Sequence, residues 1–333
     1  HLQNSSFNVI QNGHISDHHG AGILLDGSDT PAQYNYLINN RVWNTPDEAI
    51  YIGAGGNGPE YNHTHYTHVI GNELFVQGTT GNARMENAVD VKEHNAGTVV
   101  ADNTIRDFDL LTNGNGALDV RNGAHRTLVY GNTFRDIGRV AGGDTYYVIN
   151  VYPEVSHVWL YNNLIYRTSP EEDGVFALNV HANQTEDVLF AHNTVYGMDA
   201  GLLVQYSTPD GDGSDNGVTV ANTLFSQVEG TLLEEWTWNG AAEGTFDLHH
   251  NVFPRDPGSY SVPPAFIGAA SLVGPAGGNF HPVTGTLGVD QGAVLSPAIR
   301  FDLGYDPRDA APDVGAFEHR PLVASIYLPV IFG

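Results

Sequence analysis

The sequence predicts an all-β fold: a right-handed, single-stranded parallel β-helix, or solenoid, of about nine coils with a C-terminal cap. Three observations carry that prediction. Asparagines in strand-like surroundings recur about every 30 residues, a second short apolar strand follows most of them at a similar offset, and no stretch has the 3.6-residue apolar period of a long helix.

Residues 1–255 make up the predicted solenoid. The asparagines stand at Asn12, Asn40, Asn72, Asn103, Asn132, Asn163, Asn193, Asn222 and Asn251, at intervals of 28, 32, 31, 29, 31, 30, 29 and 29 residues. Their contexts read alike, as in VADNTIR, VYGNTFR and FAHNTVY. Each repeat is too long for one hairpin and too short for a propeller blade. In a parallel β-helix each strand pairs with its copy one coil on, about 4.8 Å away. The asparagines then form a column whose side-chain amides hydrogen-bond from coil to coil, which explains a polar residue in an apolar setting.

The second strands are GILLD (22–26), AIYIG (49–53), AVDVK (88–92), ALDVR (117–121), VINVY (148–152), ALNVH (177–181) and GLLVQ (201–205). Past residue 255 the period stops. Residues 256–322, rich in Pro and Gly, end on SPAIRFDLGYDPRDAAPDVGAFEHRPL and are expected to cap the last coil, because an open solenoid end exposes unpaired strand edges. The apolar tail 323–333 is a further strand or the remnant of a linker to a surface anchor.

Composition narrows the partners. With 333 residues, 39 glycines, 17 prolines and 41% hydrophobic residues, the chain has material for short strands, tight turns and a long core. A formal charge of −25 excludes nucleic acid and anionic membranes as natural partners, since both need a basic surface. No stretch approaches the roughly 18–20 apolar residues of a membrane span. The absence of cysteine removes disulfides and thiolate chemistry.

Alternation along the second strands puts valine and leucine inside and polar residues outside. The third positions read Leu24, Tyr51, Asp90, Asp119, Asn150, Asn179 and Leu203; the fifth read Asp26, Gly53, Lys92, Arg121, Tyr152, His181 and Gln205. Only the middle coils set Asp or Asn beside Lys, Arg, Tyr or His. A solvated face would be polar at both ends as well, so this concentration points to a substrate groove. Asp90, Lys92, Asp119 and Arg121 are the candidate catalytic residues; Asn150, Asn179, Tyr152, His181 and His125 are candidates for substrate binding. The competing reading is a surface ion-pair ladder of small energetic value.

The stretch ENAVDVKEHNAGTVVADNTIRDF, followed one coil later by GALDVRNGAHRTLVYGNTFRD, resembles the catalytic region of the β-helix polysaccharide lyases that include chondroitinase B and the alginate lyases. That resemblance implies β-elimination on a uronic-acid polysaccharide, with Lys92 as the proton-abstracting base and Arg121 as the acid. It also implies calcium. The family's two glutamates before the lysine are here Met85-Glu86-Asn87, which leaves Glu86, Asp90 and Glu48 as the candidate ligands. The closing DVGAFEHR resembles the ends of many secreted bacterial β-helix proteins and implies the fold and an extracellular location; the protein is expected to be a monomer.

Elimination needs a base for the proton beside the sugar carboxylate and cations for the charge that develops. A lysine serves as base only when neutral; Arg121 lowers its pKa, whereas Asp90 and Asp119 raise it. Tyr152 and His181 are alternative acid and base. A glycoside hydrolase using Asp90 and Asp119, a C5-epimerase sharing the lyase's first step, and a non-catalytic glycan-binding β-helix are the other readings.

Overall fold

The computed structural model describes residues 1–319 apart from 18, 28–29, 31, 54–63, 78–83, 112–114, 140–144, 169–173, 183, 207–215, 238–246, 258–266 and 296–298. Residues 320–333, which include the expected tail 323–333, lie outside the described residues. The chain is an all-β parallel solenoid. Among the described residues no helix is long and apolar enough to cross a membrane.

Each coil contributes short strands to three long sheets. The first sheet contains the predicted second strands and runs through nine strands, among them Glu48–Ile52, Asn87–Val91, Gly116–Val120, Tyr146–Val151, Val175–His181 and Ala200–Tyr206. The second sheet, also nine-stranded, includes Val99–Ala101, His125–Tyr130, Ser156–Tyr161 and Thr185–Ala191. The third includes Arg41–Trp43, Glu73–Phe75, Thr104–Leu110 and Thr133–Arg139. Every pairing within these three sheets is parallel and joins one coil to the next, as Val89 to Leu118 and Leu118 to Ile149.

The sheets enclose one apolar core. Val89, Leu118, Ile149 and Leu178 from the first sheet meet Val100, Val129 and Leu160 from the second and Ile105, Phe134 and Ile165 from the third, all with no exposed surface. At roughly 25 cal/mol per Å² of apolar surface, these stacked columns are the main force holding the coils together.

The asparagine column forms between the second and third sheets. Nδ2 of Asn40, Asn72, Asn103, Asn132 and Asn163 each donates to Oδ1 of the next member at 2.9–3.0 Å, ending on Asn193. The backbone N–H of each donates to the same oxygen, so one amide per coil satisfies a turn that has no strand partner. Two expected members are corrected. Gly13 and Thr223 occupy the column where Asn12 and Asn222 were expected, with Gly13 N–H donating to Asn40 and Thr223 N–H to Asn251. Asn12 and Asn222 sit one residue earlier, in left-handed backbone (φ 55° and 50°), alongside Asn39, Asp102, Asn162 and His192. Asn suits both adjacent positions, an amide ladder and a left-handed turn, so its spacing alone fixes the period but not the register.

The C-terminal segment does more than sit on the last coil. Phe253 bridges Ile267, and Val314 packs with Leu224 and Val252. From there the segment returns along the flank: Ala293 and Gly315 bond to Asn222, Ala316 N–H donates to Thr194, Arg308 donates to Asn162 Oδ1 (3.0 Å), and Tyr305 donates to Asp102. The left-handed turns present polar side chains in a row, and the cap reads that row. Arg308 and Glu318, nearly buried and 2.8 Å apart, tie the segment to itself.

Candidate functional site

The site occupies the outer face of the first sheet. Register places Tyr51, Asp90, Asp119, Asn150, Asn179 and Leu203 side by side, as alternation requires. Lys92, Arg121, Tyr152 and His181 follow two residues on, and His181 pairs with Gln205.

This face is not a solvated one. Asp90, Asp119, Asn150 and Asn179 have no exposed surface, and the side chains of Lys92 and Arg121 retain only 14% each. Asp90 is the hub. Its Oδ2 lies 2.6 Å from Lys92 Nζ and 3.0 Å from Arg121 Nη2, while Oδ1 accepts from Arg121 Nε at 3.0 Å. Arg121 thus grips one carboxylate with two nitrogens and reaches Asp119 Oδ2 at 2.8 Å. That second contact lies off the N–H direction, since Asp119 Oδ2 has no hydrogen-bond partner; Asp119 Oδ1 accepts from Gly116 N–H at 2.7 Å. Lys92 lies over the Tyr51 ring and Arg121 over the Tyr152 ring, at 4.4 and 4.6 Å from the ring centres.

Polar contacts continue along the coils. Arg121 Nη1 donates to Tyr152 Oη (2.7 Å), and the Tyr152 and His181 rings stack at 5.5 Å. Gln205 donates to Asn179, which donates to Asn150. At the C-terminal end the face turns apolar, with Tyr147, Phe176, Ala200 and Leu203 packed beside Trp236.

Burial and charge set the protonation states. Burial works to lower the Lys92 pKa, but the Asp90 carboxylate outweighs it and the net shift is upward. The expectation that Lys92 is the base is therefore revised: Asp90 holds it as an ammonium. Burial, reinforced by Asp90 against the pull of Arg121, keeps the Asp119 carboxyl well above the usual carboxylate range. Burial also raises the Tyr152 hydroxyl and pushes His181 down to about 4. His181 is a neutral imidazole at neutral pH.

Two expectations part company with this cluster. His125 begins a second-sheet strand, with Nδ1 3.4 Å from the Gly123 carbonyl, and lies outside both columns because the turn after Arg121 carries the chain to the next face. Glu86 reaches the site through Asn115, whose Nδ2 is 3.3 Å from Glu86 Oε1 and whose Oδ1 is 3.4 Å from Tyr152 Oη. Calcium does not fit the carboxylates expected to hold it. Lys92 Nζ lies between Asp90 and Glu48, 3.9 Å from the latter, and among the described residues no three acidic or imidazole groups converge as a cation site.

No family model matches this chain, and no curated protein matches it.

Strict alternation missed one row. Glu48, Asn87, Gly116 and Tyr147 stand on the outer face because each strand turns both following residues inward, as Val148 and Ile149 (1% and 0% exposed) show. The signal was there in the consecutive apolar pairs Ala88-Val89, Ala117-Leu118, Val148-Ile149 and Ala177-Leu178. Tyr147, whose Oη accepts from Gln205 at 2.9 Å, joins the site this way.

Proposed function

We propose that this chain is an extracellular enzyme that cleaves a uronic-acid polysaccharide by β-elimination. The observation that carries the reading is the unbroken row Lys92, Arg121, Tyr152, His181: two cations, a protonated hydroxyl and a neutral imidazole on adjacent coils. Lys92 and Arg121, already desolvated, offset the charge on the sugar carboxylate as its neighbouring carbon loses a proton. His181 takes that C5 proton. Tyr152, polarised by Arg121, gives a proton to the oxygen leaving C4, and the C4–C5 double bond forms as the C4–O bond breaks. Acid and base stand on one side of the sugar, which suits departure of proton and leaving group from the same face. Asn150 and Asn179, wholly buried and bonded to each other and to Gln205, hold the row rigid from behind, and Asp90 fixes the two cations.

The pair Asp90 and Asp119 favours a second reading, hydrolysis, because one carboxyl is held protonated beside another on the adjacent coil. Both are wholly buried under Arg121, which supports a positioning role over contact with substrate. The test is incubation with uronic-acid and neutral polysaccharides. Elimination gives the ultraviolet absorbance of an unsaturated uronate, and His181→Ala and Tyr152→Phe each lower that rate about 10²–10⁴-fold. New reducing ends without the absorbance, or a full rate in His181→Ala, would sink the lyase reading.

A further inference from the structure

A cleft lies on a different face of the solenoid. Between the outer side of the second sheet and residues 299–305 of the returning C-terminal segment is a cleft of about 380 Å³, lined by Tyr130, Trp159, Tyr161, Phe301, Tyr305 and Asp102, among others. Its volume falls within the roughly 300–1,000 Å³ of small-molecule sites.

The column of the second sheet that holds Tyr130 and Tyr161 explains its shape. Register runs Ala101, Tyr130, Tyr161, Ala191, Ala221. The two tyrosine rings stack at 5.0 Å and 7°, and the column then drops to alanine on either side. Continued aromatic stacking would cover every ring face. The step from Tyr161 to Ala191 instead leaves one face of Tyr161 without an aromatic neighbour in its column, over a floor of small residues. Phe301 and Tyr305 stand across from it, 52% and 60% exposed. Tyr305 is tied to Asp102, but the Phe301 ring is not needed to fasten the segment, which is held there by Asn162 donating to the Phe301 carbonyl (2.5 Å) and by Arg308 donating to Asn162. Trp159 is aimed by its own bond to Asp187 (3.0 Å). Large rings left in water beside an open ring face, with a carboxylate at Asp102, match the apolar face and hydroxyl rim of a pyranose.

Charge selects among sugars. Asp102 and Asp302 line the cleft with Arg300 as the cation among its described lining residues, on a chain of formal charge −25. A polyanionic glycan is repelled here.

We infer that this cleft binds a neutral oligosaccharide, with Tyr161 as the platform and Phe301 closing over the sugar. It serves as an anchoring site separate from the first-sheet face. The test uses the full chain, titrated with cello-, xylo- and manno-oligosaccharides and with oligouronates, followed by calorimetry and by tryptophan fluorescence compared with Trp159→Phe. A neutral oligosaccharide binds; Tyr161→Ala and Phe301→Ala each weaken it about tenfold or more, and Tyr161→Phe retains it. Phe301, half exposed, can be removed without disturbing the coils, and unchanged thermal melting verifies this. Failure of every neutral oligosaccharide to bind, binding that survives both alanine variants, or a preference of this cleft for oligouronates would overturn the inference. Absence of elimination activity with neutral binding intact would overturn only the lyase reading.

Discussion

Two faces of the solenoid carry almost the same charged residues and put them to different use. On the third sheet Arg41 pairs with Glu73, Glu73 with Arg106, Arg106 with Asp107, and Asp107 with Arg135, coil after coil. On the first sheet Lys92, Asp90, Arg121 and Asp119 do likewise. The side chains of the third-sheet ladder keep between 20% and 44% of their surface, whereas Asp90 and Asp119 keep none. Water screens the first group and leaves it worth little. Without water, the Asp90 carboxylate depends on Lys92 and Arg121. The surface-ladder reading of the sequence describes a real feature of this protein, but on the third sheet.

Removing one partner from each face is the severest trial of the comparison. Arg121→Ala takes from the buried Asp90 carboxylate one of the two cations it touches and is expected to cost about 3–5 kcal/mol in denaturant unfolding. A cost below about 1 kcal/mol would erase the distinction between the faces.

Acid titration sharpens it. Burial holds the His181 pKa at about 4, below the 6.5 of the unfolded chain, so the unfolded state takes up a proton first. Stability on this account is full above pH 6.5 and falls as pH drops toward 4, by an order of 3 kcal/mol. The elimination rate should likewise persist below pH 6.5 and fail near 4. For Glu73, burial works to raise the pKa, but hydrogen bonds from Arg106 and Arg41 outweigh it and the net shift is downward. Its contribution is present above the ordinary value of 4.5 and lost only below it. Acid unfolding followed in His181→Gln and Glu73→Gln should therefore differ from wild type in separate windows, the histidine's at higher pH.

The smallest effect is expected from Arg135→Ala, about 0–1 kcal/mol, declining further in about 1 M salt, where the Debye length is near 3 Å. The penalty of Arg121→Ala should hardly change in the same salt. Melting of both variants at low and high ionic strength checks this.

Much of the fold was legible beforehand. The period and the alternation of AVDVK and ALDVR are local properties of strands, and pairing each strand with its copy leaves almost no freedom, so the columns through Asp90 and Lys92 follow directly. Asn222 was misplaced by one residue because VANTLFS offers Asn where its neighbours offer Gly, Asp or His before the ladder position. His125 was misplaced because proximity in sequence to Arg121 crosses a corner of the solenoid.

Repetition along the chain therefore determined by itself the architecture and which side chains share a row, since each strand's partner is set by the coil before it. Only the tertiary structure decided that the first-sheet row is dry, that Lys92 is held charged while His181 is not, and that the C-terminal segment returns along the left-handed turns to shape an aromatic cleft. Those outcomes depend on desolvation by residues far away in sequence, and the strength of a charge's interactions is set by what excludes water from it.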